Sequence, residues 1–308
     1  MGTDKNVALP KDYSEIAEEL EAAYWVPFIR TPFKGLDEIE EKSKYDCPEL
    51  HQAFSAFNSN IKAAKDLLEF PYLLLIPFLP DVRTQIQVSP PGITEVDDSD
   101  LSEEQEARAI DLVTVALKAS KGPLLEKKSE LQRLLHQACI LIWSALETFS
   151  KQIFIASLNQ RPALLTAILK SQELKERFSI SNNTWANLLQ THDFDLKGKL
   201  GTIIAANRDF SSPQLLRDLF PVMFNGMSTI GFPHSDSQQD TLWKLGQRRH
   251  LIAHRCGIVD QDYLDKTHDD SQVIGKLLNL RGRDLGEAMR ATAGFAILLY
   301  GNARYCWR

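Results

Sequence analysis

A mainly α-helical chain built as a bundle is predicted by three features of the sequence. Leu131, Leu135, Ala138, Ile142, Ala145, Phe149, Ile153 and Ala156 recur at steps of three and four, which lays one continuous apolar stripe along a single long helix. Capping signals of the form Ser/Asp-x-x-Glu/Gln open several other periodic stretches. Only one short segment, Gln272–Leu280, reads as a strand or hairpin edge, and no repeat of solenoid length is found.

The elements follow in order. Asp12 with Glu15 opens a helix that stops at about Trp25, ahead of Pro27, and 50–69 has few helix breakers and reads as a second helix. An acidic segment around 36–44 connects them. The string PYLLLIPFLP from Pro71 to Pro80 is expected to break into a turn or two short apolar pieces, because each internal proline removes a backbone donor and crowds the preceding turn. From Arg83 to Asp100 a Pro-Pro-Gly turn and an acidic cluster mark a linker, where a domain boundary is expected. Ser102 and Gln105 then open a helix to about Ala119, and Lys121-Gly122-Pro123 ends it.

The long helix is expected over about 124–158, with Trp143 and Glu147 one turn apart on its flank. Shorter helices are expected at 163–170, 185–191 and 214–224, and 225–240 reads as a loop. A helix over about 241–256, closed by Gly257, and a last helix capped by Asp284 and Glu287 complete the chain. This gives an N-terminal helical region, 1–100, and a helical domain, 101–308.

At 308 residues, with 44% hydrophobic and 25% charged residues, the chain has the make-up of a globular protein. Its net charge of −6 argues against coating nucleic acid or an anionic membrane with its whole surface. Cys47, Cys139, Cys256 and Cys306 are too scattered for a disulfide framework or a zinc ribbon. The N-terminus has no apolar signal core, and the apolar runs around 70–80 and 291–300 are shorter than the ~20 residues of a membrane span. A soluble cytoplasmic protein, with no membrane partner, is the expectation.

One segment concentrates charge. From Thr241 to Val259 the chain reads TLWKLGQRRHLIAHRCGIV, with Lys244, Arg248, Arg249 and Arg255, two histidines and no acid. A solvated basic face is the plainest reading. His250 and His254 stack at i, i+4, while Arg249 and His254 diverge by about 140° on a regular helix. They converge on one atom only if the helix end unwinds near Gly257 or if two copies present their motifs across a two-fold axis. Three roles are open to the histidines. The spacing suits a transition metal, but a zinc site needs further ligands and none stands at matching spacing, so no metal or cofactor is expected. A structural role is poorly served by flanking arginines without counter-charge. The third role is phosphodiester chemistry, in which imidazole moves protons near neutral pH and guanidinium stabilises a pentavalent phosphorane.

Arg249-His250-Leu-Ile-Ala-His254 resembles the R-[polar]-x-x-x-H signature of the HEPN superfamily. The following Gly257, Val259-Asp260 and Tyr263-Leu264 resemble the tail of RiboL-PSP-type HEPN domains. Trp143-Ser-Ala-Leu-Glu147 stands where that family has an aromatic–acidic helix, and the resemblance covers about 124–308. It implies an up-and-down helical bundle that dimerises into a composite cleft, and a metal-independent endoribonuclease in anti-phage defence or a toxin–antitoxin system. Arg249 would then hold the scissile phosphate and His254 act as general acid and base. His250 would assist and Glu147 orient the arginine. Arg248, Arg255 and Lys244 would add RNA phosphate contacts or stand as solvated cations. The product would be a 2′,3′-cyclic phosphate. Other members of the superfamily are inactive modules that bind RNA, a nucleotide or a protein, and this remains the alternative. Residues 1 to about 120 lie outside the resemblance, and are either a packed extension or a docking region for a sensor or antitoxin partner. Trp25 and Phe28 read as core there, because no basic residues interleave with them.

Overall fold

The computed structural model describes residues 31–75, 128–224 and 240–306. The helices expected around 12–25 and 102–119, the linker at 83–100, the loop at 225–239 and both Trp25 and Phe28 lie outside the described residues. Among those described, eleven helices and no strand are found, so the chain is mainly α. In chain order they are α1 Thr31–Ser43, α2 Pro48–Leu75, α3 Lys128–Gln160, α4 Leu164–Lys170, α5 Gln172–Phe178, α6 Asn182–Thr191, α7 Leu200–Ala205, α8 Pro213–Met223, α9 Thr241–Arg255, α10 Gln261–Thr267 and α11 Gly282–Cys306.

Several expectations are corrected. The acidic connector at 36–44 is the body of α1, whose carboxylates face solvent or bind Asn58 and Lys62 of α2. Helix α2 does not stop at Glu69 but continues through Pro71 to Leu75, since one proline removes one helical hydrogen bond and the rest of the ladder remains. The short helices α5, α7 and α10 were not expected. Where a hairpin edge was expected, one antiparallel bridge joins Ile258 and Leu277. Val259 N–H donates to Lys276 O at 2.9 Å and Leu278 N–H to Gly257 O at 2.7 Å. Gly275, at φ +76°, makes the turn that folds the second segment back.

The described residues fall into two compact units. The described part of the smaller holds 65–75, 128–138 and 279–286. There Gln132 satisfies both backbone groups of Leu280, donating to its carbonyl and accepting from its N–H, each at 2.9 Å. Arg281 N–H donates to Asp284 Oδ2, which caps the start of α11 three residues before the expected position.

The described part of the larger unit holds 31–64, 139–224, 240–278 and 287–306, and therefore joins α1 and most of α2 to the segment that carries the motif. Its core has two aromatic groups arranged along α3. Phe149 packs against Phe57 and Phe54, with ring centroids 5.0 and 5.9 Å apart, and Phe54 packs against Tyr300 of α11 at 4.9 Å. The Tyr300 hydroxyl donates to Asp46, which also accepts from Arg304 at 2.8 Å. Further along α3, Phe154 meets Phe178 at 5.3 Å and Phe210 at 5.2 Å. All six phenylalanines are buried, each worth roughly 1.5–3 kcal/mol of transfer free energy. Helix α3 from Gln132 to Gln160 is long and apolar enough to cross a membrane, which the apolar runs considered above do not include, and its apolar stripe is packed among these helices.

Candidate functional site

Helix α9 begins where Asp240 Oδ1 accepts from Trp243 N–H at 2.8 Å, an N-cap that satisfies one of the first-turn N–H groups. Leu242, Leu245, Leu251 and Ile252 are buried. At Gly246 the helix presses close to its neighbours: a Cβ there would lie 2.4 Å from Pro213 Cγ at the start of α8 and 3.2 Å from the indole of Trp143 on α3. The absent side chain at Gly246 thus sets how near α9 comes to α3. One turn later stands Arg249.

Arg249 meets Glu147 of α3, with Nη2 3.7 Å from Oε2 and both side chains about a quarter exposed. The Trp143–Glu147 step explains the pairing, because Trp143 packs under Gly246 and Glu147 one turn along packs beside Arg249. Asp209 and Lys151 lie within electrostatic reach of the same pair. Burial raises the Glu147 carboxyl above its usual range; Arg249 and Lys151 oppose that rise and Asp209 adds to it. Burial also works against the Asp209 carboxylate, but hydrogen bonds from the Ser211 backbone and hydroxyl, with Arg249 and Lys151, outweigh it and hold its pKa below the usual range. Asp209 reaches this place because its neighbour Phe210 is buried between Phe154 and Phe178. Sequence reasoning missed Asp209 and Lys151. The Asp-Phe-Ser-Ser-Pro string from Asp209 to Pro213 signals a turn and a helix start, but says nothing of which distant charge the turn will face.

The two neighbouring arginines part company. Arg248, expected among the phosphate contacts, is drawn into a buried network, with Nη2 3.3 Å from Asp269 Oδ2 and Nε donating to the Tyr263 hydroxyl at 3.5 Å. Its side chain is 12% exposed and that of Asp269 10%. Such a guanidinium ties α9 to Tyr263 and Asp269. Tyr263 donates to Asp269 as well, at 3.2 Å, and burial pushes its hydroxyl up to about 12. Arg255 is exposed and 3.7 Å from Asp260, itself the N-cap of α10 through Tyr263 N–H. Lys244 is half-buried and ten residues before His254, about 15 Å along the axis, so it stands outside the reach of that histidine.

His250 and His254 are both exposed on one face, with ring centroids 4.7 Å apart. Partial burial, then His254, Lys266 and Arg249, lower the pKa of His250, with Asp262 opposing. His254 and Arg255 fall in the last turn of α9, where the helix dipole favours positive charge. The helix stays regular to Arg255 and breaks at Cys256, which takes the left-handed conformation at φ +53° one residue ahead of the expected Gly257, itself at φ +75°. The unwinding that would turn His254 toward Arg249 is therefore not realised, and the two point to different sides of α9.

Helix α9, the partly exposed Arg249–Glu147 pair and the exposed histidine pair define an all-α protein with a compact charged site where α9 meets α3. Comparison with family models, with curated proteins and with solved structures gives no match to the chain.

Proposed function

We propose that the chain is a metal-independent endoribonuclease of the HEPN type that acts in prokaryotic anti-phage defence or a toxin–antitoxin-like system. The observation that carries the reading is the division of labour on α9. Arg249 is held beside Glu147 on the long helix α3, and His254, five residues on, stands exposed at the positive-charge-favouring end. An arginine positioned by a carboxylate and an exposed imidazole are the two groups that phosphodiester cleavage by a neighbouring 2′-OH requires. The imidazole removes the 2′-OH proton and later protonates the leaving 5′ oxygen, while the guanidinium balances charge on the phosphorane. The product is a 2′,3′-cyclic phosphate. Because Arg249 and His254 diverge on one helix, the working cleft takes Arg249 from one copy and His254 from a second, in a cytoplasmic homodimer restrained by a regulatory partner.

Purified protein incubated with tRNA and mRNA in EDTA tests this. Cleavage with cyclic-phosphate ends that is lost in Arg249→Ala and His254→Ala supports the proposal, and cleavage unchanged in both variants removes it. Intact RNA, bound in a salt-dependent way, would select a non-catalytic HEPN-type binding module instead.

A further inference from the structure

His250 and His254 carry chemistry that proton transfer does not use up. Both rings are exposed on one face of a regular stretch of α9, 4.7 Å apart between centroids and tilted by 49°. No hydrogen bond within the described residues engages either ring. Their separation can be compared with what a shared metal needs. With a metal–nitrogen bond of about 2.0–2.1 Å and a ring nitrogen about 1.1 Å from its ring centre, the metal lies about 3.2 Å from each centroid, and 4.7 Å then subtends about 95° at the metal. A tetrahedral pair would stand about 5.2 Å apart, and a pair at adjacent corners of a square about 4.5 Å. The spacing is close to the second.

We propose that His250 and His254 form a two-imidazole chelate for a tetragonal transition-metal ion, Cu(II) or Ni(II), with water in the remaining positions. Among the described residues no third His, Cys, Asp or Glu completes a metal cage, so the site is an open chelate that holds the metal reversibly. Copper is preferred over zinc on both geometry and the general affinity order of divalent ions. The surrounding charges set limits on strength: Arg249 and Lys266 near His250 disfavour a cation, and Asp262 offsets them in part. For RNA cleavage the ion is an inhibitor, because it occupies the lone pair His254 needs to accept a proton. That consequence rests on the ribonuclease reading; the chelate does not.

The test titrates the full chain, stripped with EDTA and desalted, with CuCl2 and follows electron paramagnetic resonance. The expected result is one Cu(II) with splitting from two imidazole nitrogens, and affinity at least ten-fold weaker in His250→Gln and in His254→Gln, both of which should keep the parent circular dichroism spectrum because the rings are exposed. Affinity unchanged in either variant, or a spectrum with one nitrogen, overturns the proposal. Two-nitrogen copper binding without any RNA cleavage would remove only the ribonuclease reading, and EDTA-resistant cleavage without that copper signal would remove only the chelate.

Discussion

Glu147 and Arg249 lie 102 residues apart in the chain, and the fold brings their charged atoms to 3.7 Å, joining α3 to α9 at the turn that follows Gly246. The pair is partly solvated and too long for a good hydrogen bond, so its direct contribution to stability is small and its effect is mainly on where the guanidinium points.

A double-mutant cycle with Glu147→Gln and Arg249→Gln is expected to give a coupling energy of about 0.5–1 kcal/mol by urea denaturation, falling further in 0.5 M salt. A coupling above about 3 kcal/mol would show the pair to be a main support of the fold and would count against a positioning role.

The Arg248–Asp269–Tyr263 network makes an acid-sensitive contribution. Burial opposes the Asp269 charge, but the Ser271 hydroxyl, Arg248 and Tyr263 together hold its pKa below the usual value. A carboxyl lowered in the folded state contributes stability above its unfolded pKa and loses it as pH falls through the folded one. Asp269→Asn is therefore expected to cost about 2 kcal/mol at pH 7 and to flatten the fall in melting temperature below about pH 4. Equal slopes for parent and variant would contradict it.

Gly246→Ala places a methyl group 2.4 Å from Pro213 Cγ, a contact that only movement of α9 or α8 relieves. The expected cost is about 1–3 kcal/mol. Because Arg249 follows one turn later, the same variant should also lose most of the coupling between Glu147 and Arg249 when the cycle is repeated in its background.

Asn159 at the end of α3 accepts from the backbone N–H groups of Gly201 and Thr202, at 2.7 and 3.3 Å, and so fastens the start of α7. Gly201 must remain a glycine for this approach, since its Cβ would fall 2.3 Å from the Ile155 carbonyl oxygen. Asn159→Ala is expected to destabilise the protein by about 1 kcal/mol, with faster hydrogen exchange across 200–206 as the local sign.

Much of the architecture was legible in the sequence because helical order is local. The stripe from Leu135 to Ala156 is buried as its period required, and α3, α4, α6, α8, α9 and α11 fall within a few residues of where caps and breakers placed them. The positive segment with its two stacked histidines was legible for the same reason, as i, i+4 neighbours share a face whatever surrounds the helix. The extension of α2 through Pro71 was not, because neighbouring turns can carry a single proline and local rules see only its cost.

What the sequence by itself determined, then, is the helical class and the composition of one face of α9. Only the tertiary structure decided which charge does what. Arg248 and Arg249 are adjacent and chemically identical, and about 100° of rotation sends one into the buried network with Asp269 and the other to Glu147, beside Asp209 and Lys151. Asp209 takes its place through the burial of Phe210 against Phe154 and Phe178, and such contacts between residues distant in the chain leave no trace in a local period. Periodicity states which residues share a side of a helix, and packing alone states what that side meets.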